Sequence, residues 1–472
     1  MYKLRNISMA AIAMMMAAAF SSCGDKLPGA MDAPYDTDLL SIKILNAGEN
    51  GDKVVEGKID EEKKEVNFPK LDTLTNFAAL KLEASLSEGA RLEKTEVDCK
   101  MAPEDEQAKF TIRVLNHNRY KDYFMTVRKR IPPTGAEFRQ AVAYSFAGDK
   151  RYEDFNTLTT RGSDFDGQYV LVVTRSANKP HLLKVEDLKA GVINRIPLDL
   201  TGVSGGTFPY NTGALANGHI YMCSLAGGKA SDLKVYYWET PTSEPEVIFN
   251  SKVQDIPDAG IRYGDNMSLN IDNNGDGYIF FGENNANSIL RLTVSNHKTV
   301  GEPAVLAADS KMRVAMNIYR YENTNDYLYS GAALPITLTG SAAEKKFSLS
   351  AANQPAEAVA ARAFMFNKKR YLITCTAGLG GASKATPTLY VFDISKGKSL
   401  AEALEIFEAA SDHNPVYTFI LGGAGNGAPS PCTNFFIEHD ANGKDAKLWL
   451  YAARAESGFV IVEVPLAQDT DD

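Results

Sequence analysis

The chain has 472 residues, of which 44% are hydrophobic and 23% are charged, and its formal net charge at pH 7 is −9. This composition is typical of soluble globular domains and excludes collagen-like, disordered and disulfide-scaffold proteins. The 50 Lys and Arg residues are outnumbered by 59 Asp and Glu residues, which argues against a nucleic-acid partner. The length allows two or three domains.

The first 22 residues have the pattern of a secretory signal peptide. Lys3 and Arg5 precede 14 uncharged residues, too few for a membrane span, and Ser21 and Ser22 lead to Cys23. This ending resembles a bacterial lipobox, which implies a lipid on Cys23 and a membrane anchor. The alternative is an ordinary signal peptide with an incidental cysteine.

We therefore predict a lipidated tether over residues 23–37, rich in Gly, Pro and Asp, and a location in the cell envelope, with the outer membrane favoured. Removal of residues 1–22 would deepen the net charge to −11.

Residues 38–130 alternate between apolar and polar side chains in short runs, such as LSIKIL at 40–45 and KFTIRV at 109–114. Period-two alternation predicts an antiparallel β-sandwich of immunoglobulin-like size. These runs resemble the Ig-like modules at the N-termini of Bacteroidetes surface lipoproteins. Pro132, Pro133 and Gly135 predict a domain boundary.

Residues 136–468 contain a repeat in which a polar turn precedes a short apolar strand with an aromatic residue. The aromatic residues are Tyr169, Tyr221, Tyr278, Tyr327, Tyr371 and Trp449. Their spacing is 44 to 57 residues, followed by one gap of 78. Such periods predict a six- or seven-bladed β-propeller, and the fold class is all-β. A large irregular β-sandwich is the alternative.

The long gap predicts an inserted helix, because Ser399 and Glu402 form a capping box ahead of Leu400, Leu404 and Phe407. The apolar run at residues 416–421 could belong to a seventh blade.

Asp272, Asn274, Asp276 and Glu283 satisfy the spacing of an EF-hand calcium loop. The flanking segments have strand character, however, and other copies of the repeat have hairpin turns at this place. A hairpin turn is therefore favoured, and calcium bound by Asp272, Asn274 and Asp276 is the alternative. No other cofactor is expected.

Aromatic and polar residues cluster before or within the strands predicted to be innermost, where tyrosine faces suit sugar rings and polar groups suit hydroxyls. The candidate ligand-binding residues are Tyr210, Asn211, Arg262, Tyr263, Asp265, Asn266, Tyr319 and Asn434. Packing between blades is the alternative role for these residues.

No catalytic residue can be selected from the sequence. The six histidines are scattered, there is no Gly-x-Ser-x-Gly motif, and Asp164 and Asp166 are expected in a turn. Cys223 and Cys375 lie in apolar strand-like runs, so buried free thiols are expected.

The order of lipobox, Ig-like module and propeller-like domain resembles a family of Bacteroidetes exported lipoproteins of unknown function. The resemblance implies an envelope role. The leading hypothesis is a monomeric, non-enzymatic binding or scaffolding module for glycans or peptides. A propeller glycoside hydrolase or lyase, and a protein–protein platform in an envelope complex, are the alternatives.

The lipobox makes a direct prediction. The Cys23→Ala variant should lose membrane attachment, because the thiol that receives the lipid is gone, whereas a Ser22→Ala control keeps a small residue and should remain attached. Membrane fractionation and globomycin treatment measure this. Unchanged processing and attachment of Cys23→Ala would contradict the prediction.

Overall fold

The computed structural model describes residues 35–102, 105–308 and 315–468. The predicted signal peptide, Cys23 and most of the predicted tether lie outside this range. The chain divides into two compact units, Met1–Pro132 and Pro133–Asp472. The expectation of an all-β fold is confirmed, since antiparallel sheets dominate both units. None of the described helices is long and apolar enough to span a membrane.

Unit 1 contains two sheets around one core. Its strands are β1 Leu39–Ala47, β2 Lys53–Glu56, β3 Lys58–Asp60, β4 Glu65–Asn67, β5 Leu71–Asp72, β6 Leu80–Leu86, β7 Arg91–Leu92, β8 Glu96–Val97, β9 Gln107–Asn116 and β10 Arg119–Arg130. One sheet has the order β2-β1-β6-β8 and the other β3-β4-β10-β9-β7. Ile42 and Leu80 of the first sheet share the core with Val114 and Met125 of the second.

The expectation of an antiparallel sandwich in unit 1 is wrong for one strand, β10. β10 pairs in parallel with β4, where Met125 lies opposite Val66, and also with β5. The alternation of side chains specifies which face of a strand is buried, but it is the same for parallel and antiparallel neighbours. The sequence therefore could not reveal the direction of this pairing.

Unit 2 contains most of the strands. They are β11 Val142–Ala147, β12 Thr160–Phe165, β13 Tyr169–Thr174, β14 His181–Lys184, β15 Arg195–Pro197, β16 Phe208–Ala216, β17 His219–Leu225, β18 Asp232–Trp238, β19 Glu246–Lys252, β20 Ser268–Ile271, β21 Gly277–Gly282, β22 Ser288–Ser295, β23 Thr299–Val300, β24 Ala304–Ala307, β25 Asn317–Arg320, β26 Tyr327–Gly331, β27 Leu334–Thr339, β28 Lys345–Ser348, β29 Ala358–Phe366, β30 Lys369–Thr376, β31 Thr388–Asp393, β32 Tyr417–Ile420, β33 Cys432–His439, β34 Asp445–Arg454 and β35 Gly458–Pro465.

Two α-helices, α1 Val185–Lys189 and α2 Leu400–Ala409, and short 3₁₀ helices join these strands. The inserted helix is confirmed as α2. Ser399 Oγ accepts a hydrogen bond from Glu402 N, and Glu402 caps Lys398 N instead of Ser399 N. Leu400, Leu404 and Phe407 are buried.

In the described part of unit 2 the strands form six antiparallel sheets. Sheets 1 to 5 are β12–β15, β16–β19, β20–β24, β25–β28 and β29–β32, and sheet 6 has the order β11-β35-β34-β33. Residues 416–421 add no separate sheet, because Tyr417–Ile420 is the outer strand β32 of sheet 5.

The sheets contact each other in a cycle. One edge strand of each sheet takes part in this cycle, and we call these six the first strands: β12, β16, β20, β25, β29 and β33. Each first strand contacts the next, and β33 contacts β12. A separate apolar cluster lies between each neighbouring pair of sheets, from sheets 1 and 2 round to sheets 6 and 1. The aromatic residues of the repeat belong to these clusters, as Tyr221, Tyr327 and Trp449 illustrate, so packing explains their recurrence.

The polar turns of the repeat have a common physical basis. The Asp166 carboxylate accepts hydrogen bonds from the backbone N–H groups of Gln168 and Tyr169. Asp440 accepts in the same way from Asn442 and Lys444. An aspartate that caps the backbone of its own turn favours a tight connection between strands, which is why the motif recurs.

The junction between β34 and β35 allows a prediction about stability. Gly458 has a φ of +99°, and a Cβ there would lie 2.1 Å from the Phe146 carbonyl oxygen of β11. Gly443, in another turn of sheet 6, has a φ of +76° and open space around it. Gly443→Ala should therefore lower the free energy of unfolding by about 1 kcal/mol, and Gly458→Ala by at least about 2 kcal/mol more.

Denaturant unfolding monitored by circular dichroism measures both variants. Equal losses for Gly458→Ala and Gly443→Ala would show that the approach of β11 to this turn does not constrain the fold.

Candidate functional site

The two ends of the first strands differ in chemistry. Beyond the C-terminal ends of several first strands lies a cavity of about 1390 Å³, here called the large cavity. Its wall includes the aromatic residues Phe165, Phe435, Phe436 and Trp449, and polar residues that include Asp166, Asn217, Asp272, Glu322, Arg362 and Asn434. A concave wall that combines aromatic rings with convergent polar groups is typical of a small-ligand site.

Asp164 lies deep in unit 2, towards the large cavity. It belongs to β12 and is fully buried, so the expectation that it lies in a turn is wrong. One carboxylate oxygen accepts from Leu215 N and the other from Asn434 Nδ2, each at 2.8 Å. Burial raises the pKa of this carboxyl, and the positive charge of Arg362 opposes the rise.

Arg362 joins two of the predicted site residues to Asp164. Its Nε donates to the Thr433 carbonyl oxygen at 2.8 Å, and its guanidinium lies 3.3 Å from the centre of the Tyr319 ring. Burial raises the pKa of the Tyr319 hydroxyl, so this group stays neutral. The structure thus brings Tyr319 and Asn434 together around Asp164 and Arg362, two residues that sequence reasoning did not select.

A small cavity of about 30 Å³ lies further along the first strands, and we call it the axial cavity. Arg161, Asp164, Asp265, Tyr319 and Cys432 contribute to its wall. Its volume has room for about one water molecule, too little for an organic ligand.

The N-terminal ends of β12, β16 and β20 bring together a second set of predicted residues. Arg262 forms a bidentate ion pair with Asp265, at 2.5 and 2.9 Å. Asn211 is fully buried, donates to the Gly264 carbonyl oxygen and accepts from Arg175 Nη2. Arg161 approaches the same Asp265 carboxylate at 3.7 Å. Arg161 and Arg175 carry no sequence signal beyond their places beside a strand end.

The remaining predicted ligand residues have structural partners. Tyr263 is fully buried, and its hydroxyl accepts a hydrogen bond from Gly260 N. Asn266 accepts from Gly282 N at 2.7 Å, and Tyr210 packs against the cluster between sheets 1 and 2. Tyr263 packs between sheets, which is the alternative role given for it above, because no face of its ring is exposed.

Asp272, Asn274 and Asp276 of the calcium motif lie in the turn between β20 and β21. Asp272 Oδ1 accepts from the backbone N–H groups of Asn274 and Asp276. Glu283 is buried elsewhere, where its carboxylate accepts from Ile261 N and Arg262 N. The described residues include no group of three or more His, Cys, Asp or Glu side chains placed to hold a metal. Calcium at this turn stays a prediction.

Thiol chemistry is suppressed in the described part of the chain. Cys99, Cys223, Cys375 and Cys432 are free and buried, which confirms the expectation for Cys223 and Cys375. Burial raises the pKa of both of these thiols to about 12, so neither forms a thiolate near neutral pH.

The buried Asp164 predicts a dependence of stability on pH. Its folded-state pKa lies above the unfolded value near 3.8, so the folded state binds the proton more tightly. The unfolding free energy of the wild type, relative to Asp164→Asn, should therefore fall as the pH rises from about 3.8 through the folded-state pKa. Denaturant titrations across pH 3.5 to 7.5 measure this.

Asp440 provides a control of opposite sign, because hydrogen bonds from Lys444 N and Asn442 N lower its pKa. The stability of the wild type relative to Asp440→Asn should rise with pH in the acidic range. A difference between wild type and Asp164→Asn that rises with pH would contradict the first prediction.

Comparisons with known proteins agree with the resemblance to a family of unknown function. A crystal structure of a DUF4623 family protein from Bacteroides eggerthii DSM 20697 is 53% identical to this chain, with a TM-score of 0.77. The similarity covers 93% of this chain and 100% of that one. No curated protein matches. The family model described as "Domain of unknown function (DUF4623)" matches residues 25–467, and the chain therefore belongs to the DUF4623 family.

Proposed function

We propose that this protein is a lipid-anchored envelope protein that binds carbohydrate through the large cavity of unit 2. The observation that carries the proposal is the combination, in one cavity, of aromatic rings with amide, carboxylate and guanidinium groups. Aromatic faces stack on the apolar faces of sugar rings, and the polar groups bind hydroxyls.

The architecture in the proposal is a six-bladed β-propeller preceded by an Ig-like β-sandwich. The cycle of contacts between first strands and the apolar cluster between each pair of neighbouring sheets support the propeller. The single core shared by two sheets supports the sandwich. In chain order, unit 1 follows the proposed lipid and tether, so it would act as a spacer ahead of unit 2.

Phe436 is the residue of the large cavity best suited to stack on a sugar. Its side chain belongs to β33 and is 39% exposed, whereas Trp449 is buried in the cluster between sheets 6 and 1. Gly167 allows the ring to come close, because a Cβ at that position would lie 2.3 Å from Phe436 Cγ. An exposed ring held against a backbone turn is a pre-ordered platform for a ligand.

Asp166, in the wall of the large cavity, and Asp164, in the wall of the axial cavity, support binding more directly than catalysis. Both oxygens of Asp164 accept hydrogen bonds, one of them from Asn434, so Asp164 orients that amide. One oxygen of Asp166 caps its own turn. Asp164, with both oxygens engaged, positions neighbouring groups without offering a free base.

One observation favours a glycoside hydrolase as the second candidate. Burial raises the pKa of Asp164 and of Asp166, and the charge of Asp164 raises that of Asp166 further. A carboxyl group with a raised pKa is what a general acid requires near neutral pH.

A glycan array followed by titration calorimetry tests the proposal. Purified protein should bind at least one glycan, and Phe436→Ala should weaken that binding about tenfold, because an aromatic face worth about 1.4 kcal/mol is lost. Phe124→Ala is the matched control, since Phe124 lies in unit 1 and is 55% exposed.

The binding proposal fails if no glycan is retained, or if Phe436→Ala binds as tightly as the wild type. The same glycans, incubated with the protein and assayed for new reducing ends, separate the two candidates. Release of reducing ends that Asp166→Asn abolishes would establish the hydrolase instead.

A further inference from the structure

Three arginines converge at the end of unit 2 opposite the large cavity. Arg161 follows Thr160 at the start of β12, and Arg175 follows Thr174 at the end of β13; these two threonines are paired across the sheet. Arg175 N also donates to the Thr159 carbonyl oxygen. Arg262 lies in the segment before β20, which Asn211 ties to β16 through Gly264. We call Arg161, Arg175 and Arg262 the arginine cluster.

The carboxylates near the arginine cluster do not balance its charge. Asp265 forms a bidentate ion pair with Arg262, so both of its oxygens are engaged. Arg161 Nη2 comes no closer than 3.7 Å to the same carboxylate. Glu283 also attracts Arg262, but its oxygens accept from backbone N–H groups such as Ile261 N and Ala286 N. Three guanidinium groups thus face two carboxylates that are already engaged, which leaves a surplus positive charge.

Arg175 has only neutral neighbours at hydrogen-bonding distance in the described structure. Its Nη2 donates to the Asn211 amide oxygen, and its guanidinium lies 3.5 Å from the centre of the Phe208 ring. Burial and repulsion from Arg161 lower the pKa of Arg175 to about 10. Burial also lowers the pKa of Arg161; the charge of Asp265 opposes this fall, and the charge of Arg262 adds to it.

Both guanidiniums also have unsatisfied donors. The Nε atoms of Arg161 and Arg175 are buried and have no hydrogen-bond partner among the described residues. Leaving a charged group buried with an unpaired donor is unfavourable, and an anion bound by the same guanidinium groups offsets this penalty by neutralising their charge. Arginine forks match the geometry of carboxylate, sulfate and phosphate oxygens.

We propose that Arg161 and Arg175 bind the anionic group of a small ligand, a carboxylate, sulfate or phosphate, with Arg262 and Asp265 holding the site in place. The ligand approaches from the solvent side, where Arg262 is one-third exposed. It does not sit in the axial cavity behind Arg161, because that cavity has room for only about one water molecule. The Phe208 ring, 40% exposed beside Arg175, offers an apolar surface for the rest of the ligand. The site is separate from the large cavity and does not depend on the proposed carbohydrate binding.

Titration calorimetry at constant ionic strength tests the inference, with sodium sulfate, sodium phosphate and sodium glucuronate as probes and sodium chloride as the reference. At least one probe should bind saturably with a stoichiometry of one, and the probe that binds identifies the class of anionic group. Arg161→Gln and Arg175→Gln should each weaken this binding at least tenfold. Arg139→Gln, at a side chain that is 94% exposed in the same unit, should leave it unchanged.

Arg175→Lys guards against loss of binding through misfolding. It keeps the charge but loses the planar fork, so it should fold like the wild type by near-ultraviolet circular dichroism and bind between the wild type and Arg175→Gln. The inference is overturned if none of the three probes binds the wild type, or if folded Arg161→Gln and Arg175→Gln both bind as tightly as Arg139→Gln.

Discussion

The pairing of β11 with β35 is the interaction on which the organisation of unit 2 depends. β11 comes first in the unit and β35 last, and they pair in register from Val142 opposite Glu463 to Ala147 opposite Gly458. This pairing covers an edge that would otherwise be open and puts both ends of the unit into sheet 6. The buried Arg454 of β34 ties sheet 6 to sheet 5, because its guanidinium donates to the carbonyl oxygens of Ala377 and Ala424, which follow β30 and β32.

Once the sheets form a cycle, their first strands come close together. A Cβ on Gly162 of β12 would lie 2.8 Å from Thr212 Cα of β16, so only glycine fits there. Polar side chains at these strands are then cut off from water and need partners on neighbouring sheets. Asp164 finds Leu215 N and Asn434, and Thr433 donates to the Ala360 carbonyl oxygen.

The same arrangement gives the two ends of the first strands different chemistry. At one end, turns capped by residues such as Asp166 and Asp272 surround the large cavity and supply it with carboxylate and amide groups. At the other end, the three guanidinium groups of the arginine cluster carry more charge than the two carboxylates that face them. A rigid scaffold that carries variable segments at its two ends can support two separate binding sites.

Features that depend on local patterns could be predicted from the amino-acid sequence. Alternating side chains predicted strands and hence the all-β class, the Asp-containing turns predicted hairpins, and Ser399 predicted the start of α2. Each of these depends on hydrogen bonds or burial within a few residues, which is the range over which a sequence pattern carries information. The recurrence of aromatic residues at similar spacing likewise indicated a repeated unit.

Features that depend on residues far apart in the sequence became visible only in the folded chain. The parallel pairing of β10 with β4 and the use of residues 417–420 as the outer strand of sheet 5 join segments whose partners the local pattern does not identify. Asp164 looked like a turn residue because it precedes Asp166 and Gly167, yet it is a buried partner of Asn434, 270 positions away. Arg161 and Arg175 became a cluster with Arg262 only when three sheets met, because charge and burial are set by the groups that folding brings together.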